Sequence, residues 1–170
     1  MKNNKILSQK EVFELSYNLR KKGKVVGLTH GAFDLFHVSH LDLLRKSKDL
    51  CDFLIVGVES DERIREYKHK YPTINIESRM EILSELECVN LVFKINDKYT
   101  FSSDYQKIYQ GIRPDIIMIG KNFSAEKQIE KDIAKTSKSQ LIRIMSKQKY
   151  TTTNIVNLII NNYKATQNEI

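Results

Sequence analysis

Apolar runs alternate with stretches of helical periodicity along the chain, an alternation that predicts parallel strands joined by crossover helices. Ser8 and Glu11 form a capping-box start. Val12, Leu15 and Leu19 then recur at helical spacing, and Gly23 acts as a C-terminal stop. Residues 1–23 are therefore read as an additional N-terminal helix. The first strand is predicted at 25–29 and is followed by a helix over 39–49. A second buried strand, 53–58, leads into helical segments at 61–67 and 78–87. A third strand at 89–93 is followed by a helix over 103–110 that Gly111 ends. The fourth strand is 115–119, a basic helical stretch follows Gly120, and a fifth strand, 140–145, precedes a closing helix from 153. This pattern predicts an α/β fold with a five-stranded parallel sheet and helices on both faces. With no repeat or low-complexity linker, residues 1–170 read as a single domain.

Composition narrows the class. An apolar fraction of 41% with 29% charged residues excludes a disordered chain. Cys51 and Cys88 both lie in apolar stretches and read as small buried hydrophobes, which suits a reducing, cytoplasmic setting. No apolar run is long enough to span a membrane, and residues 1–5 precede a helix start rather than a signal-peptide core. The net charge of +7 is concentrated late in the chain: residues 121–150 hold eight Lys or Arg against three acids. Such a block attracts anions. Phe123 and Tyr150 are its only aromatics and it carries no nucleic-acid motif, so a solvated helix face near a phosphate site is favoured over a nucleic-acid surface.

Three of the four histidines fall in the string His30-Gly31-Ala32-Phe33-Asp34-Leu35-Phe36-His37-Val38-Ser39-His40, where the first strand gives way to a helix. A glycine turn there lets backbone approach a polyphosphate, and the following helix offers unpaired amides and a positive dipole end. His37 and His40 can hydrogen-bond the same phosphate. A zinc site from His30, His37 and His40 is the metal alternative, but no nearby cysteine or fourth ligand supports it, and no metal-binding residues are assigned.

The string resembles the G-x-F-D-x-x-H-x-G-H signature of the cytidylyltransferase-like, HxGH-type nucleotidyltransferases, with Gly31, Phe33, Asp34, His37 and His40 matching and Ser39 in place of the second glycine. Further segments extend the resemblance. Ser60-Asp61-Glu62 with downstream Lys68 is similar to the family's post-strand S/T-D-E segment, Glu77-Ser78-Arg79 to its E-x-R helix start, and Thr151-Thr152-Thr153-Asn154-Ile155 to its S-T-T-x-I segment. Met145-Ser146-Lys147 resembles the KMSKS loop of class I aminoacyl-tRNA synthetases, whose tRNA-binding parts a chain this short cannot add.

The resemblance implies a Rossmann-like fold and nucleotidyl transfer from a nucleoside triphosphate to a small phosphorylated acceptor, a sugar phosphate or polyol phosphate, with release of pyrophosphate. It implies catalytic roles for His37, His40 and Lys68. It implies nucleotide contacts from Thr29, Gly31, Ala32, Phe33, Asp34, Arg79, Gly120, Thr151, Thr152 and Thr153, with Arg79 as a planar fork for phosphate oxygens. Mg²⁺ would accompany the triphosphate, since it keeps waters and needs few protein carboxylates. A homodimer is among the assemblies the reading allows.

ATP and CTP stand near even as donors. The N-terminal helix, the Tyr71-Pro72-Thr73-Ile74-Asn75 segment, Arg113-Pro114-Asp115 and Thr152-Thr153-Asn154-Ile155 resemble heptose-phosphate adenylyltransferases. Gly57-Val58-Glu59-Ser60-Asp61-Glu62 is equally similar to glycerol-phosphate cytidylyltransferases. Gly120-Lys121-Asn122-Phe123 departs from the G-D-D-W and G-G-D-Y loops of the two groups, and Ser146 stands where cytidylyltransferases carry an arginine. With Ser39, these departures are the basis of the alternative reading, a nucleotide-binding sensor or assembly subunit without turnover.

Overall fold

The structure is a computed structural model and describes residues 5–95, 101–120, 138–146 and 150–167. Five strands form one sheet in the order β3-β2-β1-β4-β5: β1 (Val26–Gly31), β2 (Phe53–Glu59), β3 (Leu91–Ile95), β4 (Ile116–Gly120) and β5 (Gln140–Ile144). Every strand pair is parallel. The helices are α1 (Gln9–Lys21), α2 (Val38–Lys48), α3 (Asp61–Lys68), α4 (Ile76–Ser84), α5 (Phe101–Ile112) and α6 (Thr152–Gln167). The basic stretch after Gly120 lies largely outside the described residues, as do Lys121, Asn122 and Phe123.

Two cores explain why the central strands are apolar on both sides. Val12 of α1 and Tyr105, Ile108, Tyr109 and Ile112 of α5 pack on one sheet face with Val26, Leu28 and Ile55. Leu44 of α2 and Ile76, Met80 and Leu83 of α4 pack on the other with Leu54, Val56 and Val58. The alternation along β1 and β2 follows from the period of two in a strand. Cys51 and Cys88 are free thiols, only partly buried at the α2–α4 core rather than sealed inside it.

The predicted helix starts and stops hold where local chemistry dictates them. Ser8 and Glu11 make the reciprocal capping box of α1, and Gly23, at φ +71°, donates its amide to the Arg20 carbonyl as the left-handed stop. The region from 75 to 95 departs from expectation. Asn75 caps α4 by accepting the Ser78 amide at 2.9 Å, so the helix begins at Ile76 and ends at Ser84, and β3 starts at Leu91. Gly111 also differs: α5 runs through it to Ile112, and Arg113 takes the positive φ of 49°. A Cβ at Gly111 would lie 2.3 Å from the Phe13 ring, so this glycine permits close packing of α5 on α1 instead of ending the helix.

Candidate active site

The order β3-β2-β1-β4-β5 reverses direction between β1 and β4, and the crevice beyond the carboxyl ends of those strands is where parallel α/β sheets bind ligands. Gly31 ends β1 and Gly120 ends β4. Neither marks a glycine turn: a Cβ on Gly31 would meet only ordinary contacts with the Phe33 ring, and one on Gly120 would meet none. The left-handed backbone of the β1–α2 loop falls instead on Phe33, at φ 51°, and Leu35, at φ 45°. Side chains in this region cost roughly 1–3 kcal/mol each and persist only where the surroundings enforce them.

The enforcement comes from three directions. The Asp34 carboxylate accepts the amides of Leu35, Thr73 and Ile74, each at 3.0 Å, which staples the loop to the segment before α4. Arg79 donates to the Ala32 carbonyl from α4. Thr152, in the first turn of α6, donates its hydroxyl to the Asp34 carbonyl at 3.0 Å. Thr73, Ile74 and Asp61 fall in segments that carry the resemblance, but neither they nor Tyr150 has an individual role in the sequence, because their contributions run through backbone groups or long-range pairs.

This geometry corrects the expected orientation of Arg79. In place of a fork facing phosphate, its side chain is fully buried. Nε donates to the Ile74 carbonyl at 2.9 Å, and Nη2 donates to the Glu59 carbonyl at 2.9 Å and the Asp61 carboxylate at 2.6 Å. The planar guanidinium thus ties the ends of β1 and β2 to the start of α4, using the fork geometry on carbonyls. Asp34 is likewise spent on amides. Asp61 divides its oxygens between Arg79 and the Ile76 amide.

The loop delivers His37 and His40 to the start of α2. His37 is the N-cap residue, in extended conformation, and no side chain caps the helix. The first turn of α2 therefore lacks a side-chain cap beside the positive end of its dipole, and within it the His40 amide donates to the His37 carbonyl at 2.9 Å. The His37 and His40 rings stack with centroids 3.8 Å apart, and His40 is further held edge-on by Phe33, at 5.4 Å, and stacked on Phe36, at 5.7 Å. Partial burial lowers the His37 pKa below the usual imidazole value, and its Nδ1 has no hydrogen-bond partner among the described residues. Ser39 sits inside the first turn, after the N-cap His37; it donates to the Tyr150 carbonyl at 2.7 Å, while Asp42 pairs with Lys46 at 2.9 Å.

Thr151 is the residue before α6. Its hydroxyl accepts the Asn154 amide and donates to the Asn154 side-chain oxygen, a reciprocal cap that fixes the helix start. Thr153, next along, is exposed. Thr29 is fully buried, and its hydroxyl has no partner among the described residues. Lys68 is the final residue of α3; its side chain lies outside the described residues.

His30 separates from the other two histidines. The strand period sends its ring to the α5 face, where it stacks on Tyr105 at 4.3 Å and lies 2.8 Å from the Tyr109 hydroxyl. Burial, with the Arg63 charge adding to it, holds its pKa at about 3, so it is a neutral core residue. The same face buries Glu59, which accepts the Tyr105 hydroxyl at 3.2 Å, and Arg63, whose guanidinium lies 4.9 Å over the Tyr105 ring. A zinc set of His30, His37 and His40 is thereby excluded by direction. No group of three or more His, Cys, Asp or Glu among the described residues is placed to hold a metal.

A helix start without a cap, two stacked imidazoles and a braced loop at the switch point of a parallel sheet are the features of an α/β protein of the phosphate-handling class. The chain belongs to the cytidylyltransferase-like family, an enzyme family whose model matches residues 28–165. It is 34% identical over 157 residues to bifunctional protein HldE of Helicobacter hepaticus, covering 91% of this chain and 30% of that protein. It is 31% identical over 158 residues to bifunctional protein HldE of Syntrophotalea carbinolica, covering 92% of this chain and 31% of that one. The chain thus spans about a third of the length of these relatives. Among solved structures, the lipopolysaccharide core biosynthesis protein of Thermoplasma volcanium superposes with a TM-score of 0.61 at 28% identity, covering 76% of this chain and all of that one. No helix among the described residues is long and apolar enough to cross a membrane.

Proposed function

We propose that the chain transfers a nucleoside monophosphate from a nucleoside triphosphate to a sugar phosphate, with ATP as the donor. The observation that carries the reading is the His37–His40 stack at the uncapped start of α2, in a loop held from α4 and α6. An oxygen of the acceptor phosphate attacks the α-phosphorus, the bond from that phosphorus to the bridging oxygen breaks, and pyrophosphate leaves with the electron pair. Nothing in this step needs a covalent enzyme nucleophile. The first-turn amides of α2 and the imidazole N–H groups would stabilise charge on the α-phosphate oxygens, an electrostatic effect available only to preplaced donors. Lys68 and the Thr151–Thr153 turn are proposed to hold the outer phosphates. Asp34 and Asp61 are committed to protein groups, so Mg²⁺ would enter on the triphosphate as part of the substrate.

ATP and a sugar phosphate are favoured by the HldE relatives and by the four segments that resemble heptose-phosphate adenylyltransferases. The test is pyrophosphate release across ATP, CTP, GTP and UTP, each with a panel of sugar phosphates and alcohol phosphates. Fastest release with ATP and a sugar phosphate is expected. Preference for CTP with an alcohol phosphate would reassign the chain as a cytidylyltransferase, and tight nucleotide binding without turnover would favour the sensor or assembly reading.

A further inference from the structure

At the opposite end of the sheet, the carboxyl ends of α1 and α5 enclose a cavity of about 540 Å³ that opens to solvent, a size typical of small-molecule sites. Three cations line it, Arg20 and Lys21 from α1 and Arg113 just beyond α5, and no acidic side chain does. None of the three forms an ion pair with a carboxylate among the described residues. Asp115, the acid nearest Arg113 in sequence, spends an oxygen on the Val26 amide at 2.8 Å. Arg20 reaches across from α1 to donate to the Arg113 carbonyl, which joins the two walls. Lys21 lies over the Tyr17 ring, 4.6 Å from its centroid, and Gln110 supplies an amide to the same wall as Arg113.

The obvious bland role for such cations is to balance helix dipoles. Each helix carboxyl end carries about −0.5 charge, so two supply roughly −1 and leave a surplus of about +2 from the three side chains. That surplus matches a phosphate monoester, which carries about −1.5 to −2 at pH 7. The cavity has room for the organic part, with the Tyr17 ring and the Gln110 amide as its apolar and polar contacts. We propose that this groove is a second ligand site, separate from the candidate active site, that binds a small phosphate monoester. The separation is set by the sheet: Lys21 lies just before β1 and Arg113 just before β4, whereas the histidine loop follows β1, about 20 Å away at roughly 3.3 Å per strand residue. The two strands that leave the groove are the same two whose far ends form the switch-point crevice.

The test is a titration of the full chain with inorganic phosphate and with glucose 6-phosphate, followed by backbone amide shifts, against chloride at matched ionic strength. Saturable shifts at residues 17–21 and 110–113 are expected with both phosphates and not with chloride. Arg113→Gln and Lys21→Gln should each weaken binding at least tenfold at those amides, while phosphate-induced shifts at residues 37–40 stay as in the unmodified chain. Shifts that rise linearly, that chloride reproduces, or that keep the same affinity in both variants would overturn the proposal. So would an oligonucleotide that occupies these residues more tightly than glucose 6-phosphate.

Discussion

The Ser39 hydroxyl donates to the Tyr150 carbonyl at 2.7 Å, a bond between residues 111 positions apart that joins the first turn of α2 to the chain entering α6. Serine where the family signature has glycine thus acts as a clasp. Ser39→Gly should remove one hydrogen bond, worth about 0.5–1.5 kcal/mol, and leave the Thr152 contact to Asp34 in place. The expected outcome is a nucleotide KM raised by less than about tenfold with kcat nearly unchanged. Steady-state kinetics with ATP checks this; a wild-type chain inactive with every acceptor that gains activity only as the glycine variant would contradict it.

The histidine stack calls for a different signature. Burial lowers the His37 pKa, so the pair, stacked at 3.8 Å, acts through imidazole N–H donors aimed at developing negative charge rather than as two fixed cations. His37→Ala and His40→Ala should each lower kcat by about a hundredfold or more while nucleotide affinity changes far less, the pattern of support given mainly in the transition state. Near-normal turnover in both variants would remove the pair from the mechanism.

Arg79 is expected to fail by unfolding rather than by lost affinity alone. Its removal strands the Asp61 carboxylate and three backbone carbonyls. Asp61 is partly exposed, so the larger loss is the buried carbonyls left unsatisfied, at about 1–3 kcal/mol each. Arg79→Ala should therefore lower the urea midpoint sharply in the absence of any nucleotide. An unchanged midpoint with weakened triphosphate binding would instead restore the phosphate-facing role.

His30 adds a pH dependence with a definite sign. Its pKa falls from 6.5 when unfolded to about 3 in the fold, so the unfolded chain binds the extra proton between those values. The stabilisation is whole above pH 6.5 and is lost as pH falls toward 3, by about 1.4 kcal/mol per unit. His30→Asn should flatten the fall in unfolding free energy between pH 6 and about 4, measured by urea titration at each pH against the parent chain. An identical slope in the two proteins would show that other groups dominate this range.

The strands were legible because buried parallel strands are β-branched runs bounded by polar turns, as in residues 53–58 and 115–119. The histidine string was legible as a unit, but its internal division was not: His30 belongs to a strand and points to α5, while His37 and His40 lie beyond a turn that only the dihedrals of Phe33 and Leu35 reveal. Arg79 reads the same in sequence whether its fork meets a phosphate or a carbonyl. The partners that decide it, Ala32, Glu59 and Asp61, are 18 to 47 residues away. Gly111 shows the same limit, since its reason for being glycine is the Phe13 ring on another helix.

The contact between Thr152 and Asp34 spans 118 residues and closes a loop whose opposite side rests on β1. On the ribosome, β1 to β3 can pair as soon as they emerge, because Val26 meets Phe53 and Ile55 meets Leu91. The β1–β4 pairing must wait for Ile116, and the loop lacks its α6 tether until Thr152 leaves the exit tunnel. With synthesis running at about 5–20 residues per second, the nascent chain carries its histidines for several seconds before that tether forms. A truncation before Thr152 should therefore yield a sheet with an untethered loop, and competence waits for α6 to emerge.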